Sequence, residues 1–288
     1  MDAPEALPVF GPRCFLCGSL EFQRLSAGSG PSWRVCRECG LVRQQDPLPP
    51  EVTQRQYGFA PRHEESRPAS WEQRQPEPHH LFKFWIVGEA LTAHGLDGRL
   101  VDVGCGSGLL QQYLKTLGWK DPVGIEPSGN PAGREHLGLE IYNEPVEETV
   151  RRPGFGGAFD VAVAHHVIEH CYDPAAFVAQ LRALLKPGGS AFIATPNLRG
   201  VSMRWKTLMS RLGWKKRPFR HLDYPKHVVL FDRDNLSRLV RSAGFEILDV
   251  QTYTRASSDR ARRPRRFTFW DRLGLGDNMY VVARRPLP

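Results

Sequence analysis

Three histidines and a glutamate, His165, His166, Glu169 and His170, crowd into HHVIEH (165–170), directly after the apolar run FDVAVA. Imidazoles exchange protons near neutral pH, and beside a carboxylate they can also hold a divalent cation. The stretch lies where a strand should hand over to a helix. On its composition alone it reads equally as a catalytic cluster, a metal site or the polar lip of a fold.

A second constellation is VDVGCGSG (101–108), with Gly104, Gly106 and Gly108 at a strand-to-helix turn and Cys105 inside it. Glycine lets a ligand approach the backbone closely, and a helix N-terminus offers free N–H groups. Glu126 follows Gly108 by eighteen residues, ending the next apolar run, where a carboxylate can accept both hydroxyls of a ribose. Dinucleotide-binding turns share much of this, but their spacing is G-x-G-x-x-G. Here it is G-x-G-x-G, and Asp102 stands just before it. A carboxylate there repels a pyrophosphate and can receive an ammonium group. A cofactor with an α-amino acid at one end and a nucleoside at the other fits, which describes S-adenosylmethionine.

The third is CFLC (14–17) and CREC (36–39), with eighteen residues between Cys17 and Cys36. That spacing predicts two facing zinc knuckles built from Cys14, Cys17, Cys36 and Cys39. Four thiolates close the coordination sphere, so the metal is expected to be structural, supporting a segment too short to bury its own core. Two disulfides are the alternative. The opening MDAPEALPVF has neither a basic n-region nor an apolar h-region, so no secretory signal is expected and disulfides are disfavoured.

The elements that must position these groups follow from periodicity. RLVDVG (99–104), PVGIE (122–126), LEIYN (139–143), FDVAVA (159–164) and SAFIAT (190–195) read as short buried strands. Helical patterns alternate with them at 81–95, 109–118, 173–186 and 233–244, the third capped by Asp173 and stopped by Pro187-Gly188-Gly189. FEILDVQTYT (245–254) and NMYVVARR (278–285) supply two more strands. Strands alternating with helices predict an α/β fold with a mainly parallel sheet covered on both faces, whose ligands sit beyond the carboxyl ends of the strands. The expected organisation is a zinc ribbon over 1–46, a linker over 47–80 rich in Pro, Gln and charge, and the α/β domain over 81–288.

Taken together, LVDVGCGSG, GIEPS, FDVAVAHHVIEHCYDP, LKPGGSAFIATPN and HVVLFDRDNLSRLVRSAGF resemble the successive motifs of class I S-adenosylmethionine-dependent methyltransferases, in the branch of ubiquinone-pathway and polysaccharide-cluster enzymes. The resemblance runs over residues 81–254 and implies a Rossmann-like, seven-stranded sheet whose last strand, NMYVVARR, is antiparallel. It implies Gly104, Cys105, Gly106 and Gly108 along the methionine part of the cofactor and Asp102 at its amino group. Glu126 would meet the ribose, Pro127 and Glu144 would border the adenine, and His165 would line the pocket. It also places HHVIEH beside the transferable methyl. There Glu169 and His170 fix the loop, or one of His165, His166 and His170 acts as general base. A third reading is a divalent metal held by Glu169, His170 and His227, with His166 or His221 in support, because small-RNA 2′-O-methyltransferases and a ubiquinone-pathway enzyme use a similar E-x-x-E-H near metal. The segment 198–227 falls where the family places its acceptor cap.

These readings converge on a cytoplasmic methyltransferase acting on a small-molecule hydroxyl, a glycan or secondary-metabolite precursor. The alternatives are an RNA methyltransferase and a non-catalytic module that binds cofactor and recruits a partner. A net charge of +8 keeps nucleic acid in view, since Arg and Lys interleave with aromatics in 205–220 and 254–272. A solvated arginine-rich surface accounts for the same pattern. No apolar run is long enough to span a bilayer, so no membrane partner is expected.

Overall fold

A computed structural model describes residues 10–25, 32–49, 52, 78–128, 138–214, 222–223, 225–254 and 269–288. The chain opens with three short strands, β1 (Phe22–Leu25), β2 (Trp33–Cys36) and β3 (Val42–Gln44), and then helix α1 (Pro78–Ala93). Alternation begins at β4 (Leu100–Val103), followed by α2 (Leu109–Thr116), β5 (Val123–Ile125), β6 (Ile141–Tyr142) and a single turn, α3 (Val146–Thr149). Next come β7 (Phe159–His165), a 3₁₀ turn over Ile168–His170, α4 (Pro174–Leu184) and β8 (Leu185–Pro196). The chain finishes with α5 (Val201–Arg211), β9 (Val229–Leu230), α6 (Arg233–Ser242), β10 (Glu246–Tyr253), α7 (Phe269–Arg272) and β11 (Asn278–Arg284).

Seven strands form one sheet in the order β10-β11-β8-β7-β4-β5-β6. β4, β5, β6, β7 and β8 pair in parallel, whereas β11 runs antiparallel to both of its neighbours. This is the expected Rossmann-like sheet with NMYVVARR as its reversed strand. Alternate residues of each strand feed opposite layers, as a period of two requires. Ala162, Ala164 and Ile193 face a core completed by Phe177 and Leu181 of α4 and Leu236 and Val240 of α6. Val161, Val163 and Phe192 face the other layer, closed by Ile86, Val87 and Leu91 of α1 and Leu110 and Leu114 of α2.

Three features depart from the expected boundaries. β8 begins at Leu185, immediately after α4, and carries Pro187-Gly188-Gly189 in its first turn of extended chain. Pro-Gly-Gly does end the helix there, but the strand takes the residues up through a register shift opposite Phe159–Val161. α1 starts at Pro78, inside the segment read as linker; the rest of that segment beyond Pro49 lies outside the described residues, Val52 excepted. A helix, α5, occupies part of 198–227, a stretch read from the sequence only as the place of the acceptor cap.

The small N-terminal sheet does not stand apart. Its order is β1-β2-β3-β9, so the two-residue strand after His227 is annexed as a fourth member. Val42 pairs with Leu230 and Arg43 with Val229. Buried Cys14, Cys36 and Leu41 belong to the same apolar layer as Ile168, Val229 and Phe231.

Candidate active site

Asp102 sits on β4 between Val101 and Val103, only 2% exposed. Its Oδ2 has no hydrogen-bond partner among the described residues, and burial, with the nearby Glu126 charge second, pushes its carboxyl up to about 8. A buried carboxylate without a partner is unfavourable on its own and strongly favours a cation beside it.

The turn that follows is built to approach something closely. Gly104, Gly106 and Gly108 have φ of 75°, 54° and 76°, conformations side chains rarely adopt. The N–H groups of Gly104 and Cys105 both donate to Ile125 O, at 2.7 and 3.2 Å, tying the turn to β5. A Cβ on Gly106 would meet nothing within 4 Å, so this glycine faces open space. Glu126, at the end of β5, accepts from Gly106 N at 2.8 Å through Oε2 and from Ser128 N and Oγ at 3.0 and 2.6 Å through Oε1. An orphaned carboxylate, an open glycine and an oriented second carboxylate along adjacent strand ends fit a ligand with an ammonium at one end and a ribose further on. Those residues fit S-adenosylmethionine.

The remaining cofactor-side positions differ in their surroundings. Cys105 packs with Leu139 and Ile141, so it behaves as a small apolar residue. Pro127 is exposed beside Glu126. Glu144 is engaged by Arg152 through two hydrogen bonds, Nε to Oε1 at 2.5 Å and Nη2 to Oε2 at 2.6 Å. Its charge is therefore already matched by the protein, which leaves Glu144 less suited to the adenine edge than the sequence pattern suggests.

HHVIEH lies against this turn. A Cβ added to Gly104 would sit 2.4 Å from Val167 Cγ2. Gly104→Ala combines that clash with a left-handed backbone, so we expect a loss of about 2–3 kcal/mol in stability together with weakened cofactor binding, read by thermal unfolding and calorimetry.

Within the stretch, His165 ends β7 and packs edge-on against His166, ring centroids 4.6 Å apart. His166 takes φ 58°, and its Nδ1 lies 3.0 Å from Glu169 Oε1. Glu169 is fully buried, and Thr195 Oγ1 donates to its Oε2 at 2.9 Å. Burial opposes the charge on Glu169, but the His166 hydrogen bond and the neighbouring imidazoles outweigh it and hold the carboxyl well below the usual range. Burial pushes His166 down, so the imidazole is neutral at neutral pH. With Glu169 accepting a hydrogen bond from Nδ1–H, Nε2 carries the lone pair, and that buried Nε2 has no hydrogen-bond partner among the described residues.

His170 and His227 complete the cluster from the other side. His170 Nδ1 donates to Lys226 O at 3.0 Å, and the two rings lie 4.9 Å apart. One ligand atom each of Glu169, His170 and His227 lies within 4.8 Å of the others. Burial lowers His227 to about 4. His221 lies outside the described residues. The sequence reading missed Thr195, and also Gln44, whose Nε2 donates to Pro225 O at 3.1 Å and to His227 O at 2.5 Å. Neither had a signal of its own, since each lies on a different element from the residue it holds.

The four cysteines also converge. All four Sγ atoms lie within 4.8 Å of one another, with Cys14–Cys39 at 3.6 Å and Cys17–Cys36 at 3.5 Å. Ligands about 2.3 Å from a tetrahedral zinc are about 3.8 Å apart, and a disulfide would need about 2 Å. Each knuckle closes with a glycine, Gly18 N donating to Cys14 O and Gly40 N to Cys36 O. The buried Arg43 guanidinium lies between the rings of Phe10 and Phe22, 4.9 and 4.7 Å from their centroids. A positive charge there would offset the excess negative charge that four thiolates place on one divalent ion.

Comparison with known proteins agrees with this geometry. The sequence model of a family described as "Methyltransferase domain" matches residues 70–250. A ubiquinone biosynthesis O-methyltransferase of Cereibacter sphaeroides is 32% identical over 158 residues, covering 52% of this chain and 61% of that protein. One from Paraburkholderia phymatum is 31% identical over 178 residues, covering 59% and 72%. The chain thus spans about three-fifths of the length of the first of these relatives. Among solved structures, an S-adenosylmethionine-dependent methyltransferase of Thermotoga maritima, described as a possible histamine N-methyltransferase, superimposes with TM-score 0.56 at 19% identity, covering 82% of this chain and 99% of that one. The Burkholderia thailandensis 1,6-didemethyltoxoflavin-N1-methyltransferase, solved with its acceptor and S-adenosylhomocysteine, gives 0.51 at 16% identity, covering 92% and 99%. At those identities the structures speak for the fold alone. By fold and family match, the chain belongs to the class I S-adenosylmethionine-dependent methyltransferases.

Proposed function

We propose that this chain methylates a hydroxyl of a small molecule, a sugar, glycan or secondary-metabolite precursor, with a structural zinc in a ribbon over 1–46, a linker over 47–80 and the catalytic domain over 81–288. The observation that carries the reading is the Glu169–His166 pair with an unpartnered Nε2 at the end of β7, one strand from Asp102. The O-methyltransferase names of the relatives support the choice of oxygen.

When bound, S-adenosylmethionine supplies an electrophilic methyl on a positively charged sulfur. Asp102 takes the ammonium, Glu126 takes ribose hydroxyls, and the glycine turn lets the ligand lie against the backbone. His166 Nε2 receives the acceptor's hydroxyl proton as that oxygen becomes the nucleophile. Glu169 holds Nδ1–H and stabilises the imidazolium that results, while Thr195 keeps Glu169 in place. With the acceptor's proton held on His166 and the positive charge of the sulfur consumed in the transfer, charge and protons would balance.

A second reading has the cluster of Glu169, His170 and His227 holding a divalent cation that orients the acceptor oxygen. Both Glu169 oxygens already accept hydrogen bonds, from His166 and Thr195, so such a cation would have to compete for them.

The test is mass spectrometry of a metabolite extract incubated with the chain and methyl-labelled cofactor. We expect one labelled small-molecule ether. His166→Ala should lower its formation by about 10²–10⁴-fold while leaving S-adenosylhomocysteine affinity intact. A labelled oligonucleotide would point to an RNA methyltransferase, and cofactor binding without turnover would point to a binding module. Metal analysis giving two divalent ions per chain would favour the second reading over the first.

A further inference from the structure

Most of the exposed large apolar groups of the described surface lie on or beside two helices, α5 and α7. Of the thirteen large apolar side chains exposed among the described residues, eight lie between Val201 and Trp214 or between Phe269 and Leu273. On α5, Val201, Trp205, Leu208 and Leu212 recur at i, i+4, i+7 and i+11, which is a single stripe on a helix of 3.6 residues per turn. Met203 and Ser210, on the opposite side by the same geometry, face inward: Met203 packs against the layer of Trp33, Leu222 and Leu230, and Ser210 is buried. The outer stripe is therefore not the core-facing side of an amphipathic helix. It is a second apolar face in water, with Trp205 60% and Trp214 72% exposed.

α7 adds to it. Val201 N donates to Leu275 O at 3.0 Å and Ser202 N to Asp277 Oδ1 at 3.0 Å, so the start of α5 and the turn after α7 share one root. Phe269 and Trp270 are both largely exposed there. Charge accompanies the stripe: Arg204, Lys206 and Arg211 are exposed, and no acidic residue occurs between Val201 and Trp214. In sequence, Lys215-Lys216-Arg217 follow directly, and residues 255–268, just before α7, carry six arginines and one aspartate.

We propose that this face docks on a bilayer surface rich in anionic phospholipid, with α5 lying in the headgroup layer. Aliphatic and indole side chains on one stripe with guanidinium and ammonium groups beside it suit that environment, because the tails receive the former and the phosphates the latter. A nucleic acid would satisfy the cations but leave Val201, Leu208 and Leu212 in water. A second copy of the same face would bring like charges together. The sequence-based expectation of no membrane partner rested on the lack of a spanning segment, and among the described residues no helix is long and apolar enough to cross a membrane. A helix that lies in the interface needs no such length.

The test is flotation of the purified full chain with vesicles of phosphatidylcholine alone and with about a third phosphatidylglycerol, read together with tryptophan emission. The expected result is binding to the anionic vesicles, a blue shift from Trp205 and Trp214, and binding at least about tenfold weaker in half-molar salt. Trp205→Glu with Leu208→Glu should weaken vesicle binding at least about tenfold while S-adenosylhomocysteine affinity stays unchanged, which shows the variant is folded. Arg204→Glu with Arg211→Glu should do the same only for anionic vesicles. Absence of binding to either vesicle overturns the proposal. So does unaltered binding by the Trp205/Leu208 variant, or binding to poly(U) in preference to anionic vesicles.

Discussion

Asp102→Asn is expected to make the free protein more stable and to cost it the cofactor. The Asp102 carboxylate is buried, its Oδ2 is without a partner, and burial raises its pKa to about 8 from an ordinary value near 4. A carboxyl whose folded pKa is raised favours the folded state in its protonated form. Stability is therefore greatest at acid pH as far as this group is concerned. It is lost progressively as pH rises from about 4 to about 8, and is flat above that. Asparagine removes the slope, so the variant's advantage should be near zero at about pH 4 and up to about 5 kcal/mol at pH 8, some 10 °C or more in unfolding midpoint. The same substitution removes the carboxylate placed for the ligand's ammonium, and S-adenosylmethionine affinity should fall by about 10²-fold or more. In the wild-type chain, binding at pH 7 should release close to one proton, because it requires the ionised form. Thermal unfolding at two pH values and calorimetry in buffers of different ionisation heat read both effects. A midpoint for Asp102→Asn below wild type at pH 8 would mean that the protein itself stabilises the carboxylate, and the ammonium site would have to lie elsewhere.

Where the residues proposed for the cofactor sit in the fold was legible in the sequence. Asp102, the three glycines and Glu126 are placed by local rules: a strand end, a turn that only glycine accepts, and the end of the next strand. The reversed strand NMYVVARR and the capped α4 were legible for the same reason, since period and capping are short-range. What stayed hidden depends on contacts far apart in sequence. β9 is two residues long and carries no pattern of its own. Its pairing with β3 joins positions some two hundred residues apart, which no window of sequence can register. Glu169 could be seen as a carboxylate beside histidines, but Thr195, which fixes it, belongs to a different strand. Glu144 shows the opposite failure: a motif position was matched, yet Arg152, eight residues on, had already engaged the carboxylate.

On the zinc site proposed for the four cysteines, removing the metal is expected to disable methyl transfer while leaving cofactor binding nearly intact. The ribbon's own apolar layer is small, and structural zinc sites contribute on the order of 10 kcal/mol or more, so without the ion β1–β3 should not persist. The loss does not stop there, because β3 holds the segment 225–228, and through it the main chain of Glu169 beside the proposed base. Gln44 N donates to Val228 O at 2.9 Å, and Gln44 Nε2 donates to Pro225 O at 3.1 Å and to His227 O at 2.5 Å. Val228 N in turn donates to Glu169 O at 2.8 Å, linking that segment to HHVIEH. Asp102, the glycine turn and Glu126 stand on β4 and β5 and make none of these bonds. Chelation, or Cys36→Ser, should therefore abolish measurable turnover but change S-adenosylhomocysteine affinity by no more than a few-fold. Gln44→Ala isolates the link from the metal: zinc content should remain one per chain, stability should fall by about 1–2 kcal/mol, and turnover should fall about tenfold with cofactor affinity unmoved. Hydrogen exchange supplies the local readout, with the Val228 amide losing protection in both variants and the β4 amides in neither. Full turnover in a zinc-free, Cys36→Ser chain would show that the annexed strand is held by the α/β core alone, and that His227 owes its place to Lys226 and His170 rather than to the ribbon.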